Sequence, residues 1–133
     1  MSNFVLDASA LMAYFYQEPG ADVVESAILQ GSFISTINWA EVLSTAIHRG
    51  EDIESLISKI ENDDELSGLA ILPAIEIDAI QIARLRPVTR MLGLSLGDRA
   101  CLALGMRLGL TVLTADTVWR NLAINIPITI IRA

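Results

Sequence analysis

Short apolar runs alternate with longer helical segments along the whole sequence, and this alternation is what most constrains the fold. Five runs have the length and apolar content of buried strands: 4–7, 33–35, 69–72, 111–114 and, as an edge or late strand, 128–131. Helices are predicted at 8–16, 21–30, 38–49, 52–65, 74–86 and 96–108, and a helical turn at 117–122. Their ends are marked by Gly31, Gly50, Pro87 and Gly109. This order predicts a single domain, residues 1–133, with a three-layer α/β/α sandwich around a mainly parallel sheet.

The composition of the chain fits such a sheet. Apolar residues make up 53% of the 133 residues, and a parallel sheet that is covered on both faces gives compositions of this kind. An apolar surface for a second copy of the chain or for another partner would account for the remainder, and of these we expect a homodimer. No apolar run reaches the roughly 18 residues of a membrane helix, and no basic leader precedes Phe4. The single cysteine, Cys101, is expected to be a buried apolar residue, and its lack of a disulfide partner fits a cytoplasmic location.

Four acids stand at positions where a parallel sheet places its ligands. Asp7 ends the first strand, and Asp116 lies two residues beyond Thr114. Glu41 and Asp98 are predicted in the first turns of the helices at 38–49 and 96–108. Because ligands bind beyond the carboxyl ends of parallel strands, all four carboxylates can face one edge of the sheet.

Each acid also has a structural explanation. Glu41 and Asp98 stand three residues after Asn38 and Ser95, which is the spacing of a capping box, so Asn38 is expected to be a helix cap. Asp7 and Asp116 are residues that helix N-termini prefer. As a set, however, four converging carboxylates would repel one another unless a cation neutralised them.

A metal ion would also explain how a site without a well-placed protein base, on a chain with a negative net charge, could act on nucleic acid. The net charge of −7 argues against a nucleic-acid partner, but bound divalent ions invert the charge of an acidic site. Mg²⁺ prefers oxygen ligands, and metal ions activate water without a protein base. His48 and Lys59 are the only histidine and lysine that could act as such a base, and we expect both to be surface residues on helices.

Four stretches of the sequence resemble the motifs of the PIN-domain family. They are FVLDASAL at 4–11, STINWAEV at 35–42, LSLGDRACLAL at 94–104 and VLTAD at 112–116 followed by Trp119. The third is very similar to that of VapC-type ribonuclease toxins of type II toxin–antitoxin systems, and the fourth is similar to the fourth motif of the family. The resemblance implies a PIN fold, Mg²⁺- or Mn²⁺-dependent endoribonuclease activity and inhibition by a small cognate antitoxin.

The resemblance also implies roles for individual residues. The metal-binding and catalytic acids would be Asp7, Glu41, Asp98 and Asp116. The hydroxyls of Ser9 and Thr114 would orient these acids.

Arginines supply a second expectation. An acid-free stretch between Asp78 and Asp98 contains Arg84, Arg86 and Arg90. They form either a rim that contacts RNA phosphates or a solvated helix end. Arg99 stands where the family often has a small residue, so we expect it to contact phosphate.

Two other classes of protein remain open at this stage. A phosphoaspartate enzyme such as a HAD-like phosphatase would use Asp7 as the acceptor, but Ser9 stands where the HAD motif has a second acid. A non-catalytic PIN-like scaffold that only binds RNA or protein is the other alternative.

Overall fold

Five parallel strands form the centre of the protein. The computed structural model describes residues 3–133. The strands are β1 (Phe4–Leu6), β2 (Ser32–Ser35), β3 (Leu69–Leu72), β4 (Thr111–Thr114) and β5 (Ile128–Ile130). They lie side by side in the order β3-β2-β1-β4-β5, and every neighbouring pair is parallel. The predicted α/β/α sandwich with a parallel sheet is therefore confirmed, with β5 at one edge.

In the described part of the chain six α-helices connect the strands: α1 (Ala8–Phe15), α2 (Ala21–Gln30), α3 (Thr36–His48), α4 (Ile53–Asn62), α5 (Glu76–Thr89) and α6 (Leu96–Leu108). Three 3₁₀ helices follow α4, α5 and β4, at Asp64–Leu66, Arg90–Leu92 and Thr117–Asn121. None of the helices within residues 3–133 combines the length and the apolar character needed to cross a bilayer.

The two faces of the sheet have separate cores. Neighbouring residues of a strand point to opposite faces, so Leu6 packs with α1 and α2 whereas Val5 packs with α5 and α6. Both residues are fully buried. This burial on both sides explains the high apolar content of the strands.

The strand order reverses beside β1. The chain passes from β1 to β2 and β3 on one side, and then returns to the other side for β4 and β5. The carboxyl ends of β1 and β4 therefore flank a topological switch point, where open parallel sheets have their ligand crevice. Asp7 and Thr114 lie at these two strand ends.

Two predicted helix boundaries on either side of the site are wrong. Helix α3 begins at Thr36 and not at Asn38, because the hydroxyl of Ser35 caps it by accepting a hydrogen bond from the N–H of Ile37. Glu41 consequently lies in the second turn of α3, and Asn38 is not a cap.

Helix α5 continues through Pro87 to Thr89, whereas the proline was expected to end it. A proline in the last turn removes a single backbone hydrogen bond, and the carbonyl that loses it belongs to the exposed Ala83. The hydroxyl of Thr89 donates to the carbonyl of Leu85 and helps to close this turn.

A third difference is that α4 ends at Asn62, so the predicted helix at 52–65 is an α-helix followed by a 3₁₀ helix.

Candidate active site at the carboxyl edge of the sheet

Asp7 is the best-anchored acid of the site. It ends β1 and caps α1, and its side chain is only 4% exposed. Its Oδ1 accepts hydrogen bonds from the Ser9 hydroxyl at 2.7 Å and from the N–H of Ala10 at 2.8 Å. Its Oδ2 accepts from the Thr114 hydroxyl at 2.6 Å. The structure thus places both predicted hydroxyls on Asp7, and both carboxylate oxygens have a fixed orientation.

Burial raises the pKa of Asp7 to about 6, from an ordinary value of 3.8. The hydrogen bonds from Thr114, Ala10 and Ser9 act in the opposite direction, and the charge of Asp98 adds a smaller increase. Loss of hydration therefore perturbs this carboxylate more than repulsion between acids, which was the cause expected from the sequence. A buried carboxylate with a raised pKa in a crevice is a candidate functional group.

Asp98 has two roles at the start of α6. Its Oδ2 accepts a hydrogen bond from the N–H of Ser95, and the Ser95 hydroxyl accepts one from the N–H of Asp98. This capping box was predicted. The negative charge of Asp98 also raises the pKa of Asp7 and of Glu41, so both of these carboxylates lie within electrostatic reach of Asp98.

Glu41 reaches the same region from α3. Burial is the main cause that raises the pKa of this half-buried carboxyl group, and the charge of Asp98 adds to it. The amide of Asn38 donates to Glu41 Oε1 at 2.8 Å and lowers the pKa in turn. The carboxylate lies directly over Gly97, where a Cβ atom would collide with it.

Cys101 lies within electrostatic reach of these three acids. Its thiol is fully buried, and burial raises its pKa well above the ordinary range. The charges of Asp7, Asp98 and Glu41 raise it further. A thiol in such surroundings stays protonated and is not a nucleophile, in agreement with the expected role as a buried apolar residue.

Asp116 is connected to the site more loosely. Its carboxylate caps the 3₁₀ helix Thr117–Asn121 by accepting from the N–H of Val118, and the residue is exposed. Its backbone N–H donates to the hydroxyl of Thr114, which in turn donates to Asp7. The structure therefore brings Asp7, Glu41 and Asp98 together and leaves Asp116 at the rim, in contact with water.

The donor set suits a hard divalent cation with open positions. Carboxylate oxygens are the ligands that Mg²⁺ and Mn²⁺ prefer. In residues 3–133 no group of three or more His, Cys, Asp or Glu side chains is arranged to hold one metal ion. Mg²⁺ is commonly held by one or two carboxylates, with water and substrate completing its shell. The residues fit an open site of that kind rather than a closed protein cage.

The structure corrects the expectation for Arg99. This side chain is only 8% exposed and lies between α6 and α5, where its Nη1 donates to the carbonyl of Ile82 at 2.9 Å. A guanidinium in this position does not reach a phosphate at the surface. In contrast, Arg84, Arg86 and Arg90 are exposed, and so are His48, which ends α3, and Lys59 on α4.

Two residues at the site were not singled out by the sequence as functional. Asn38 was expected to be a helix cap, and Gly97 was an ordinary member of a motif. Asn38 binds Glu41, and Gly97 makes room for it. A small residue directly before Asp98 and an amide three residues before Glu41 are the only signals in the sequence, and each is common in helices.

The fold and these residues define a class: a parallel α/β/α protein with carboxylates at the switch point of its sheet. The family model of the PIN domain matches residues 4–125. The chain therefore belongs to the PIN-domain family.

Solved structures of toxin–antitoxin proteins share this fold. The DNA-bound VapBC of Salmonella typhimurium superposes with a TM-score of 0.70 at 18% identity, over 97% of this chain and 98% of that one. VapC20 of Mycobacterium tuberculosis, a sarcin–ricin-loop-cleaving toxin, gives 0.71 at 11% identity, over 93% and 99%. FitAcB of Neisseria gonorrhoeae gives 0.66 at 21% identity, over 94% and 95%. At these identities the likeness shows a common fold. The comparison with curated protein sequences gives no significant match.

Proposed function

We propose that this chain is a Mg²⁺- or Mn²⁺-dependent endoribonuclease that hydrolyses RNA phosphodiester bonds, and that it is the toxin of a VapBC-type pair. The observation that carries the proposal is the buried Asp7, which two hydroxyls hold within electrostatic reach of Asp98, the acid that also acts on Glu41. A carboxylate that loses this much hydration is costly unless a cation or a proton accompanies it. The fold common to this chain and an RNA-cleaving toxin supports the same assignment.

Asp7 and Asp98 would hold the metal ion, with Glu41 and Asp116 beside it. When bound, such an ion lowers the pKa of a water molecule and offsets the charge that develops on a phosphate. The hydroxyls of Thr114 and Ser9 fix both oxygens of Asp7, so that this ligand does not rotate when substrate arrives.

RNA would approach the crevice across basic residues at its rim. Arg86 at the end of α5 and Arg90 in the following 3₁₀ helix are both exposed, and guanidinium groups bind phosphate well. Arg99 has no part in this proposal because it is buried.

A small antitoxin is the proposed inhibitor, and neighbours of the same fold come from toxin–antitoxin complexes. An arginine of the antitoxin would pair with Asp7 and Asp98 and displace the metal ion. Helix α4 offers an apolar stripe to an amphipathic segment of such a partner, because Ile53, Ile57 and Ile60 are only half buried. A homodimer and a cytoplasmic location remain parts of the proposal.

The direct test is cleavage of total cellular RNA by the purified protein with Mg²⁺ or with EDTA. We expect cleavage only with the metal, and we expect Asp7→Asn to abolish it. Asp52→Asn is the matched control, because Asp52 also caps a helix but is exposed on α4, outside the acid set. Equal cleavage by the Asp7→Asn variant and the wild type would refute the proposal.

The toxin role has its own test. Expression of the chain alone should arrest growth, and expression with the small neighbouring reading frame should relieve the arrest. Asp7→Asn should be harmless in both cases. Harmless expression of an active wild-type protein would leave a ribonuclease that is not a toxin.

A non-catalytic scaffold is the second candidate. Its support is that the described residues contain no preformed cage of three metal ligands. Such a scaffold would bind RNA equally well with EDTA and with Mg²⁺ and would leave it intact, which the cleavage assay detects.

A further inference from the structure

We infer that Asn38 and Gly97 are positioning residues that hold the carboxylate of Glu41 in the acidic site. This inference rests on the proposed function. It adds to the four acids two residues that do not themselves contact metal or RNA. The set of Asn38, Glu41 and Gly97 is called the Glu41 seat below.

The contacts of the Glu41 seat join two helices that are distant in sequence. The Nδ2 group of Asn38 donates one hydrogen bond to Glu41 Oε1 at 2.8 Å and one to the carbonyl of Gly97 at 2.9 Å. Asn38 and Glu41 are neighbours on α3, whereas Gly97 belongs to the first turn of α6, directly before Asp98. The amide thereby fixes Glu41 relative to the helix that carries Asp98.

The chemistry of these contacts requires an amide at position 38. Both partners of Nδ2 are oxygen acceptors, so a reversed amide would place Oδ1 against a carboxylate and a carbonyl. The orientation of the side chain is therefore fixed. An aspartate at this position would have the same shape, but it would bring a second negative charge against Glu41.

Gly97 supplies the space in which Glu41 lies. A Cβ atom on Gly97 would collide with the carboxyl carbon and with both oxygens of Glu41. These atoms are the end of a flexible side chain, so a methyl group at position 97 would displace Glu41 and leave the backbone of α6 unchanged. Alanine is also a better helix former than glycine.

The unpaired oxygen of Asn38 indicates that the seat does not serve stability alone. Asn38 is 1% exposed, and its Oδ1 is buried without a hydrogen-bond partner. A buried acceptor without a partner destabilises a fold. Asn38 therefore lowers the stability of the fold through its Oδ1, whereas its Nδ2 group fixes the orientation of Glu41.

Gly97→Ala is the principal test. We expect an unchanged or higher melting temperature, together with cleavage that is 10- to 100-fold slower and Mn²⁺ binding that is weaker by a similar factor. Losses of about this size are typical when a residue that orients a metal ligand is removed. Full cleavage and unchanged Mn²⁺ affinity in this variant would overturn the inference.

A double-mutant cycle shows whether the effect runs through Glu41. Calorimetric titration with Mn²⁺ compares Gly97→Ala in the wild type and in a Glu41→Ala background. We expect the loss of affinity in the wild type and no further loss when Glu41 is absent, because the methyl group then meets no carboxylate. An equal loss in both backgrounds would contradict a role through Glu41.

Asn38→Asp tests the amide with a variant of the same shape. We expect the same 10- to 100-fold losses in cleavage and Mn²⁺ affinity. Asn62→Asp is the matched control, because Asn62 is an exposed helical asparagine on α4 whose amide donates only to Ser58. If both variants behave alike, the specific role of Asn38 is refuted.

A nuclear magnetic resonance measurement separates failure of the seat from failure of the proposed function. The side-chain amide protons of Asn38 should exchange slowly with solvent in the metal-free protein, and their signals should move in the Gly97→Ala variant. Exchange as fast as that of Asn62 would overturn the seat even in an active nuclease. Slow exchange in a protein that cleaves no RNA would keep the seat and reject the function.

Discussion

Replacing Asp7 by asparagine should stabilise the metal-free protein at neutral pH. The pKa of Asp7 rises from 3.8 to about 6 on folding, and one pKa unit corresponds to about 1.4 kcal/mol. Ionised Asp7 therefore lowers the free energy of unfolding at pH 7 by about 3 kcal/mol. Asparagine carries no charge and keeps the contacts: its Oδ1 accepts from Ser9 and Ala10, and its amide donates to the hydroxyl of Thr114.

The pH dependence follows from the sign of this shift. Above about pH 6 the carboxylate is charged in both the folded and the unfolded chain, so the full penalty applies. As the pH falls towards 4, the folded protein takes up the proton first and most of the penalty disappears. The advantage of Asp7→Asn should thus fall from about 3 kcal/mol at pH 7 to about 0.5 kcal/mol near pH 4.

Urea denaturation in EDTA across pH 4 to 8 measures this difference in the free energy of unfolding. In a thermal melt at pH 7 we expect the melting temperature to rise by roughly 10 °C. The exposed Asp52 provides the control, because Asp52→Asn should show no gain that depends on pH in this way. A variant that is no more stable than the wild type at pH 7, or whose gain is as large at pH 4, would refute the argument that burial controls this site.

Three further predictions concern the metal ion and the packing of α5 on α6. Asp98→Asn should abolish RNA cleavage and leave the circular dichroism spectrum unchanged, since asparagine can still accept from the N–H of Ser95. Full cleavage by this variant would remove Asp98 from the site. Mn²⁺ at about 100 times its dissociation constant should stabilise the wild type by about 2.7 kcal/mol, and thermal melts of Asp98→Asn and Asp116→Asn should show smaller shifts. Arg107→Met should lower the free energy of unfolding by about 3 kcal/mol, as measured by urea denaturation. The reason is that the buried Asp78, which Arg107 Nε contacts at 2.8 Å, loses its charged partner. A loss below about 1 kcal/mol would contradict this.

Much of the architecture could be predicted because local signals agreed with it. The bounds of α6 were predicted correctly from Ser95 at one end and Gly109 at the other. The start of α3 was misplaced because Ser35 both ends a strand and caps the next helix, which its place in an apolar run conceals. The position of Pro87 was misjudged because the cost of a proline depends on which turn it occupies.

The candidate site was predicted only in part, because the sequence shows where acids stand but not which side chains are buried. Acids at strand ends and in first helical turns indicate where carboxylates gather, and Asp7 and Asp98 lie at two such places. Burial is a property of the folded chain, so the sequence did not reveal that Arg99 is enclosed by α5. Nor did it reveal that Asn38 and Gly97 meet, because 59 residues separate them.

The bond between Asp7 and Thr114 joins residues that are 107 positions apart. At about 5–20 residues per second, a ribosome needs roughly 5–20 s to pass from the first of these residues to the second. During that interval the nascent chain has β1 but not the strand that closes the crevice beside it. Synthesis that is interrupted before β4 emerges would release a fragment without the site. Under the function proposed above, the site forms only after Thr114 has left the ribosome, and a cognate inhibitor already present in the cell would have several seconds of advantage.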